Sequence, residues 1–424
     1  MSIDLACFAI NYRQISNQQD FTTCQTGPVV YGPVIYGPVF ISHVIKREIT
    51  AMSHSSLPTI MRAFVLHGHG DMDQLTYHTD WPVPEIGEGE LLVKVLACGL
   101  NNTDINTRTA WYSKSVSKNT TGAKFDEADD EDATWGGTAI TFPRIQGADV
   151  AGIVVAAGPG TDNALIGKRV LIDTWLRDWD NPMIRERCGY YGSECDGGFA
   201  EYTAINQHNV HTVESDLSNA ELATFATAFI TAENMLNRAN VGAGDTVLIP
   251  GASGGVGSAL IQLANRRGAK TIAMTSASKI PALANHDILS PSAIIAPPSK
   301  GGSGDLAAAL MNAIGRNNVS VVADVVGGDL WPNLIGVLER GGRYTCAGAI
   351  AGPMVDFDLR TFYLRDLTFT GATIVPPGVF ADLVGYIERG EIKPVLAAQF
   401  DLTELHSAQQ AFIDKKHIGN IVVT

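Results

Sequence analysis

The sequence predicts an α/β protein that combines a doubly wound parallel sheet with a second, mainly β domain. Strands and helices alternate from about residue 218, and a glycine-rich turn at 251–257 joins a strand to a helix. Short strands that begin at Leu91, Gly152 and Arg169 are separated by Gly and Pro clusters over residues 61–210. Because a chain of 424 residues is longer than one hydrophobic core usually accommodates, we expect at least two domains.

The alternating pattern gives the order of elements in the second half of the chain. A capping box of Ser218 and Glu221 opens the first helix. The predicted strands are 246–250, 270–274, 319–323 and 343–347, and the predicted helices are 256–267, 304–315, 329–339, 378–389 and 403–415. A terminal strand that begins at Ile421 could return to the first domain.

Residues 1–60 differ in character from the rest of the chain. They repeat Tyr-Gly-Pro-Val at Tyr31 and Tyr36, and Gly-Pro pairs interrupt both helices and strands. We expect a mobile N-terminal extension over 1–60, with a docked arm as the alternative, and Met61 could be the true start. The expected domains are 61–217 together with 375–424, which are mainly β, and 218–374, which hold the parallel sheet.

Charge and composition exclude several classes of protein. A net charge of −14 gives no general attraction to nucleic acid or to an anionic membrane. No apolar run approaches the roughly 18 residues of a membrane-spanning helix. The six cysteines form no CxxC pair, so we expect free thiols, Cys188 and Cys195 included, and a cytoplasmic setting.

The glycine-rich turn predicts a dinucleotide site. It follows an apolar strand and precedes an apolar helix, which is the context that such a turn needs. Glycines allow a pyrophosphate to approach the backbone, and the N-terminus of the following helix supplies free N–H donors. A tight turn without a ligand is the alternative interpretation. The predicted binding residues of the turn are Gly251, Ala252, Ser253, Gly254, Gly255, Val256 and Gly257.

The end of the next strand indicates which dinucleotide binds. NAD-binding folds usually place an acid there, whereas this chain has Thr275, Ser276 and Lys279. We therefore expect NADPH rather than NADH, unless Lys279 is only a solvated surface charge. Gly348 and Ala349 follow a later strand and are expected to meet the nicotinamide, with turn geometry alone as the alternative.

Four segments resemble the medium-chain dehydrogenase/reductase superfamily over about residues 61–424, and most closely its zinc-independent quinone oxidoreductases. They are the turn at 251–257, Gly147 to Gly152, Cys195 to Tyr202, and Leu100 to Tyr112. The resemblance implies a GroES-like barrel domain interrupted by a Rossmann domain. It also implies a homodimer.

Zinc-dependent members of that superfamily hold catalytic zinc through two cysteines and a histidine. The positions that resemble those ligands carry Asn101, Ala148 and Thr227 here. An amide, a methyl group and a hydroxyl cannot replace two thiolates and an imidazole around Zn²⁺. We therefore predict no metal in the site.

The resemblance also supplies the candidate catalytic residues, Asn101 and Tyr112. It places Asn101 beside the nicotinamide and Tyr112 at the mouth of the pocket, whereas a second family Tyr is replaced by Asn106. Asn101 as a simple helix cap and Tyr112 as a packed aromatic remain alternatives. The spacing of Asp104 and Arg108 favours a helical ion pair.

The connection at 113–141 is longer than is usual in the family. It carries an acidic run from Asp126 to Asp132, which is either a lid over the substrate or an inert loop.

The expected activity is NADPH-dependent reduction of a quinone or an α,β-unsaturated carbonyl by hydride transfer without zinc. A conjugated carbonyl accepts the charge as hydride arrives, so a few oriented hydrogen-bond donors suffice. An alcohol dehydrogenase and a catalytically silent dinucleotide-binding protein are the alternatives.

Overall fold

The computed structural model describes residues 57–120, 130–298 and 305–424. The N-terminal repeat and most of the acidic run lie outside the described residues. The strands are β1 (Ile60–Leu66), β2 (Leu75–Pro82), β3 (Glu90–Gly99), β4 (Asp149–Ala157), β5 (Arg169–Ile172), β6 (Trp175–Leu176), β7 (Gly189–Tyr190), β8 (Tyr202–Asn206), β9 (Val210–Thr212), β10 (Thr246–Pro250), β11 (Lys270–Met274), β12 (Ala293–Ile295), β13 (Val319–Asp324), β14 (Leu338–Cys346), β15 (Thr368–Gly371), β16 (Leu396–Phe400) and β17 (Asn420–Val423). The helices are α1 (Asn102–Arg108), α2 (Asn219–Leu222), α3 (Ala226–Arg238), α4 (Gly255–Arg266), α5 (Ile280–Ala284), α6 (Asp305–Ile314), α7 (Trp331–Gly336), α8 (Leu359–Tyr363), α9 (Val379–Glu388) and α10 (Leu405–Ile413).

The second half of the chain forms the predicted parallel sheet. Its strand order is β12-β11-β10-β13-β14-β15, and every neighbouring pair is parallel. Both faces are covered by helices, so its strands are apolar on both sides. Successive residues of β10 show this, because Val247 packs with α3 and α4 in one core while Leu248 packs with α6 and α7 in a second. The doubly wound fold is confirmed.

Two details of that sheet differ from the prediction. The helix expected over 329–339 ends at Gly336, and the strand expected at 343–347 already begins at Leu338. Leu338 pairs with Val319 and is fully buried, so tertiary pairing overrides the helical pattern there. The edge strands β12 and β15 were not predicted, because both are short and only partly buried.

A seven-stranded sheet contains the predicted short strands of the first half of the chain, and β1-β2 and β6-β7 form two further two-stranded sheets. The order of the seven-stranded sheet is β16-β17-β3-β4-β5-β9, and β8 pairs with β3 as well. The last strand, β17, runs antiparallel to the end of β3, with Val423 opposite Cys98. The end of the chain therefore lies in the sheet of the mainly β part, while the domain boundaries near 217 and 375 stay a prediction.

Helix α2 begins at the predicted capping box. The Ser218 hydroxyl accepts a hydrogen bond from the Glu221 backbone N–H at 3.2 Å, and the Ser218 N–H donates to the Glu221 carboxylate at 2.8 Å. Across the described part of the chain, no helix is long and apolar enough to span a membrane. Of the six cysteines, Cys98, Cys188, Cys195 and Cys346 are described, and all four are free thiols.

Candidate active site

One cavity of about 600 Å³ lies where the two sheets meet. It extends from the glycine-rich turn after β10 to the residues around α1. Its described lining contains two lysines and no Asp or Glu, so it suits an anionic ligand.

The glycine-rich turn has the geometry that a dinucleotide requires. Gly251 has a φ of 66°, which favours glycine. A Cβ on Gly257 would lie 2.4 Å from the Gly251 carbonyl oxygen, so only glycine fits there. Helix α4 begins at the turn without a side-chain cap, which leaves N–H groups free for a phosphate.

Six of the seven predicted turn residues line the cavity. The exception is Ala252, which is fully buried beneath the turn and bonds to β11 through its backbone N–H. It therefore contributes packing under the site. The residues of the turn that line the cavity are Gly251, Ser253, Gly254, Gly255, Val256 and Gly257.

The residues after β11 lie beside the turn, as the dinucleotide hypothesis requires. The hydroxyl of Thr275 donates to that of Ser253 at 3.1 Å. Lys279 is half-buried rather than a free surface charge, and its Nζ donates to the His417 carbonyl oxygen at 2.7 Å and to Ser253 at 3.3 Å. Burial lowers the pKa of Lys279. Ser276 completes this edge of the cavity.

A second lysine at this edge was not predicted from the sequence. Lys415 follows α10 and donates from its Nζ to Asn102 Oδ1 at 2.9 Å. Burial, and secondarily the charge of Lys279, lower its pKa to about 7. Only its place just before the terminal strand could have signalled a role, because nothing in the sequence shows that α10 borders the cavity.

Gly348 and Ala349 follow β14 and line the opposite wall of the cavity, while their contact with the nicotinamide stays a prediction. The neighbouring Ile350 carbonyl oxygen accepts a hydrogen bond from the Thr120 backbone N–H at 3.1 Å. Thr120 belongs to the long connection 113–141, so part of that connection is held against the predicted nicotinamide wall.

The same connection supplies part of the other end of the cavity. The Trp135 indole N–H donates to Glu194 at 3.0 Å, and its ring meets that of Trp175 edge-on with centroids 4.9 Å apart. Trp135, Trp175 and the nearby Trp111 all line the cavity. The described parts of the connection therefore contribute to the wall of the cavity. A lid role for residues 121–129 stays a prediction.

The predicted catalytic residues lie at this aromatic end. Asn101 is the N-cap of α1, and its backbone N–H donates to Asp104 Oδ2 at 2.7 Å. It also lines the cavity, so capping and a catalytic role are compatible. Tyr112 is half-buried and lines the cavity as well. Burial raises the pKa of its hydroxyl, although the nearby side chains of Thr103 and Asn106 oppose that rise.

The predicted ion pair between Asp104 and Arg108 is wrong. Asp104 turns back to the start of α1, and burial raises its pKa to about 7. Arg108 instead donates to the Gly70 carbonyl oxygen at 2.9 Å and to Gln409 at 3.3 Å. Both side chains are buried against different neighbours, so tertiary contacts replace the helical pair.

A buried carboxyl group stands just behind the cavity. Asp149 Oδ1 accepts hydrogen bonds from the Thr227 backbone N–H at 2.9 Å and from the Thr227 hydroxyl. The Thr227 hydroxyl is in turn 2.7 Å from the hydroxyl of Tyr190. Tyr190 and Thr227 line the cavity. Tyr190 was not predicted from the sequence, because no motif connects β7 with this site.

The positions expected to replace zinc ligands converge at the same end. Asn101 and Thr227 line the cavity, and Ala148 is buried next to Asp149. Over the described residues, no three His, Cys, Asp or Glu side chains are grouped as they would be around a metal ion. An amide, a methyl group and a hydroxyl are not a zinc ligand set, so the residues present do not fit that metal.

Fold and site together define a dinucleotide-dependent oxidoreductase with two structural parts. Residues 87–215 match the family described as alcohol dehydrogenase GroES-like domain, and residues 300–423 match the zinc-binding dehydrogenase family. The chain is 43% identical in sequence to a solved candidate alcohol dehydrogenase from Sinorhizobium meliloti, with a TM-score of 0.77, covering 87% of this chain and 98% of that one. The chain belongs to the medium-chain dehydrogenase/reductase superfamily, and its cofactor is a nicotinamide dinucleotide.

Two curated relatives are named as reductases. A 2-methylene-furan-3-one reductase of Solanum lycopersicum is 31% identical over 53% of this chain, which spans about half (49%) of that relative's length. An NADPH-dependent alkenal/one oxidoreductase of Arabidopsis thaliana is 27% identical, over 82% of this chain and 75% of the relative.

Proposed function

We propose that this protein reduces a quinone or an α,β-unsaturated carbonyl with NADPH and without zinc. The observation that carries the proposal is the chemistry of the three positions that resemble zinc ligands: Asn101 and Thr227 line the cavity, and Ala148 is buried beside Asp149. These side chains offer hydrogen bonds and apolar surface but no metal ligands. Without a Lewis acid, a substrate that can delocalise the charge by itself is favoured over a simple alcohol.

The cofactor end favours NADPH over NADH. When bound, the cofactor supplies the hydride. The free N–H groups at the start of α4 would hold its pyrophosphate. Thr275, Ser276 and Lys279 offer hydroxyls and a positive charge where an acid would otherwise repel a 2′-phosphate. The NADPH dependence of the Arabidopsis relative supports the same choice.

The other end of the cavity suits a planar, conjugated substrate. Trp111, Trp135 and Trp175 provide flat apolar walls. Asn101 lines this end of the cavity, where its side-chain amide, which also interacts with Asp149, would donate to a carbonyl oxygen. Such donors stabilise the oxygen as it gains charge during reduction. The enone named for the tomato relative is a substrate of this class.

A substrate screen tests the proposal. We expect purified protein to oxidise NADPH in the presence of quinones or enones, with saturated ketones of matched size as the negative control. Oxidation of alcohols with NADP⁺ that depends on bound zinc would favour the alcohol dehydrogenase alternative. Tight NADPH binding without turnover of any substrate would favour the silent protein.

We also propose that the protein is a cytoplasmic homodimer. Large apolar side chains are exposed at Met354, Leu359, Tyr363 and Leu364, which is typical of a surface that another protein covers. Light scattering coupled to size-exclusion chromatography should give twice the mass of one chain, and a single-chain mass would contradict the dimer.

A further inference from the structure

A chain of three polar side chains leads from the cavity into the protein interior. Tyr190 lines the cavity, and its hydroxyl is 2.7 Å from Thr227 Oγ1. Thr227 Oγ1 donates to Asp149 Oδ1, which also accepts the Thr227 backbone N–H at 2.9 Å. The three residues come from β7, α3 and β4. A carboxyl group costs more to bury than an amide, so Asp149 at the buried end of the chain points to a role beyond packing.

The surroundings of Asp149 favour retention of a proton. Burial raises its pKa to about 6, although hydrogen bonds from Thr227 and Asn101 oppose the rise. The titratable groups that face it are Cys98 on β3, Asp104 on α1 and Tyr190 on β7. None of these neighbours carries a positive charge, and the acid Asp104 has a raised pKa itself. The carboxyl group can therefore serve as a proton reservoir near neutral pH.

The direction of the hydrogen bonds depends on the charge of Asp149. When Asp149 is ionised, the single hydroxyl proton of Thr227 is donated to it, so the Tyr190 hydroxyl must donate to Thr227. When Asp149 is protonated, it donates to Thr227, and the Thr227 hydroxyl donates to Tyr190. The Tyr190 hydroxyl is then free to donate into the cavity. The acid form therefore prepares a proton donor, and the ionised form prepares a proton acceptor.

We propose that Tyr190 donates the proton that completes the reduction, and that Thr227 and Asp149 resupply it. The inference rests on the proposed function. As hydride joins the β-carbon, the electron pair of the C=C bond moves towards the carbonyl oxygen. The Tyr190 O–H bond breaks and its proton joins that oxygen. A proton passes from Thr227 to Tyr190, and one from Asp149 to Thr227.

The net change leaves a neutral enol and an ionised Asp149. After the product leaves, one proton from the bulk solvent returns along the same chain to Asp149, which replaces the proton consumed in the cycle, so the next cycle begins from the acid form. Tyr190 is the catalytic residue in this step, while Thr227 and Asp149 act as positioning residues.

The adjacent tyrosine provides a matched control. The Tyr191 hydroxyl donates to Thr203 at 2.7 Å, is fully buried and does not line the cavity. Tyr191→Phe and Tyr190→Phe therefore each remove one hydroxyl from a buried hydrogen bond, but only Tyr190→Phe removes it from the proposed chain. Melting temperature and NADPH affinity are measured for both, which separates a folding defect from a catalytic one.

The test compares kcat, its pH profile and its solvent isotope effect with the best substrate of the screen. Tyr190→Phe should lower kcat about a hundredfold, the low end for loss of a general acid, without weakening NADPH binding. Thr227→Val should behave similarly, and Thr227→Ser should restore kcat because it restores the hydroxyl. Wild-type kcat should fall as pH rises through the titration of Asp149, and Asp149→Asn should remove that dependence.

Three outcomes would overturn the inference. Wild-type kcat and pH profile in Tyr190→Phe would exclude Tyr190 as the donor while leaving the proposed function intact. An equal loss in Tyr191→Phe would show that the effect is structural. A wild-type protein that turns over no quinone or enone would overturn the proposed function, and the proton-donor role with it.

Discussion

Replacement of Lys279 by alanine tests the choice of cofactor at a single side chain. Lys279 follows β11, and its Nζ bonds to the His417 carbonyl oxygen at 2.7 Å and to Ser253 at 3.3 Å. These contacts hold the ammonium group at the cavity wall, beside the residues expected to meet the adenosine ribose. NADPH differs from NADH only by the 2′-phosphate there, so a lysine that binds this phosphate should distinguish the two cofactors.

The size of the effect follows from burial. A hydrogen bond to a charged group contributes roughly 1.5–3 kcal/mol. Because Lys279 is only half-buried and solvent screens its charge, we take the lower end, about 1.5 kcal/mol. That energy corresponds to about a tenfold increase in the Kd for NADPH. The Kd for NADH should not change.

Fluorescence titration with both cofactors provides the assay. Lys270→Ala is the control, because Lys270 is an exposed lysine at the other end of the same strand. It removes the same net charge but lies away from the cavity, so both affinities should stay at wild-type values. An equal loss of NADPH and NADH affinity in Lys279→Ala, or no loss of either, would refute the assigned role of Lys279.

Gly257→Ala should lower the melting temperature and abolish NADPH binding, because its Cβ would lie 2.4 Å from the Gly251 carbonyl oxygen; Gly254→Ala, whose Cβ meets that oxygen at 3.5 Å, should keep the melting temperature. The pKa of Asp149 is about 6 in the folded protein, compared with 3.8 for the same group in the unfolded chain. The contribution of Asp149 to stability is therefore complete below pH 3.8 and is lost as pH rises through 6. That loss is about 3 kcal/mol. Urea unfolding at pH 4 and pH 7 should therefore show a smaller change in the free energy of unfolding for Asp149→Asn than for the wild type. An equal change in both proteins would contradict the raised pKa of Asp149. Trp135→Ala should raise the KM for the quinone or enone but not for NADPH, because Trp135 lines only the aromatic end; steady-state kinetics with each substrate varied in turn checks this.

The parts of the site that one local segment builds could be predicted. The turn after β10 needs only neighbouring residues for its geometry, so the glycine at Gly257 was found from the pattern alone. Thr275 and Lys279 were found because they follow the next parallel strand, and parallel strands end at the same edge of a sheet.

The parts that distant segments build could not be predicted. Tyr190 reaches Thr227 across 37 residues, and Lys415 reaches Asn102 across 313. No periodicity records such contacts. The same limit explains the wrong ion pair, because helical spacing shows that Asp104 is a neighbour of Arg108 but not which buried partner each side chain prefers.

Zinc content and turnover measured on one sample show whether the cavity reduces its substrate without a metal. The protein is dialysed against a strong chelator, its zinc content is determined, and NADPH oxidation with the best quinone or enone is measured on that same sample. Asn101, Ala148 and Thr227 offer no zinc ligand set, so we predict full turnover with zinc far below one ion per chain. Turnover that is lost on dialysis and restored in proportion to added zinc would show that the reduction depends on zinc.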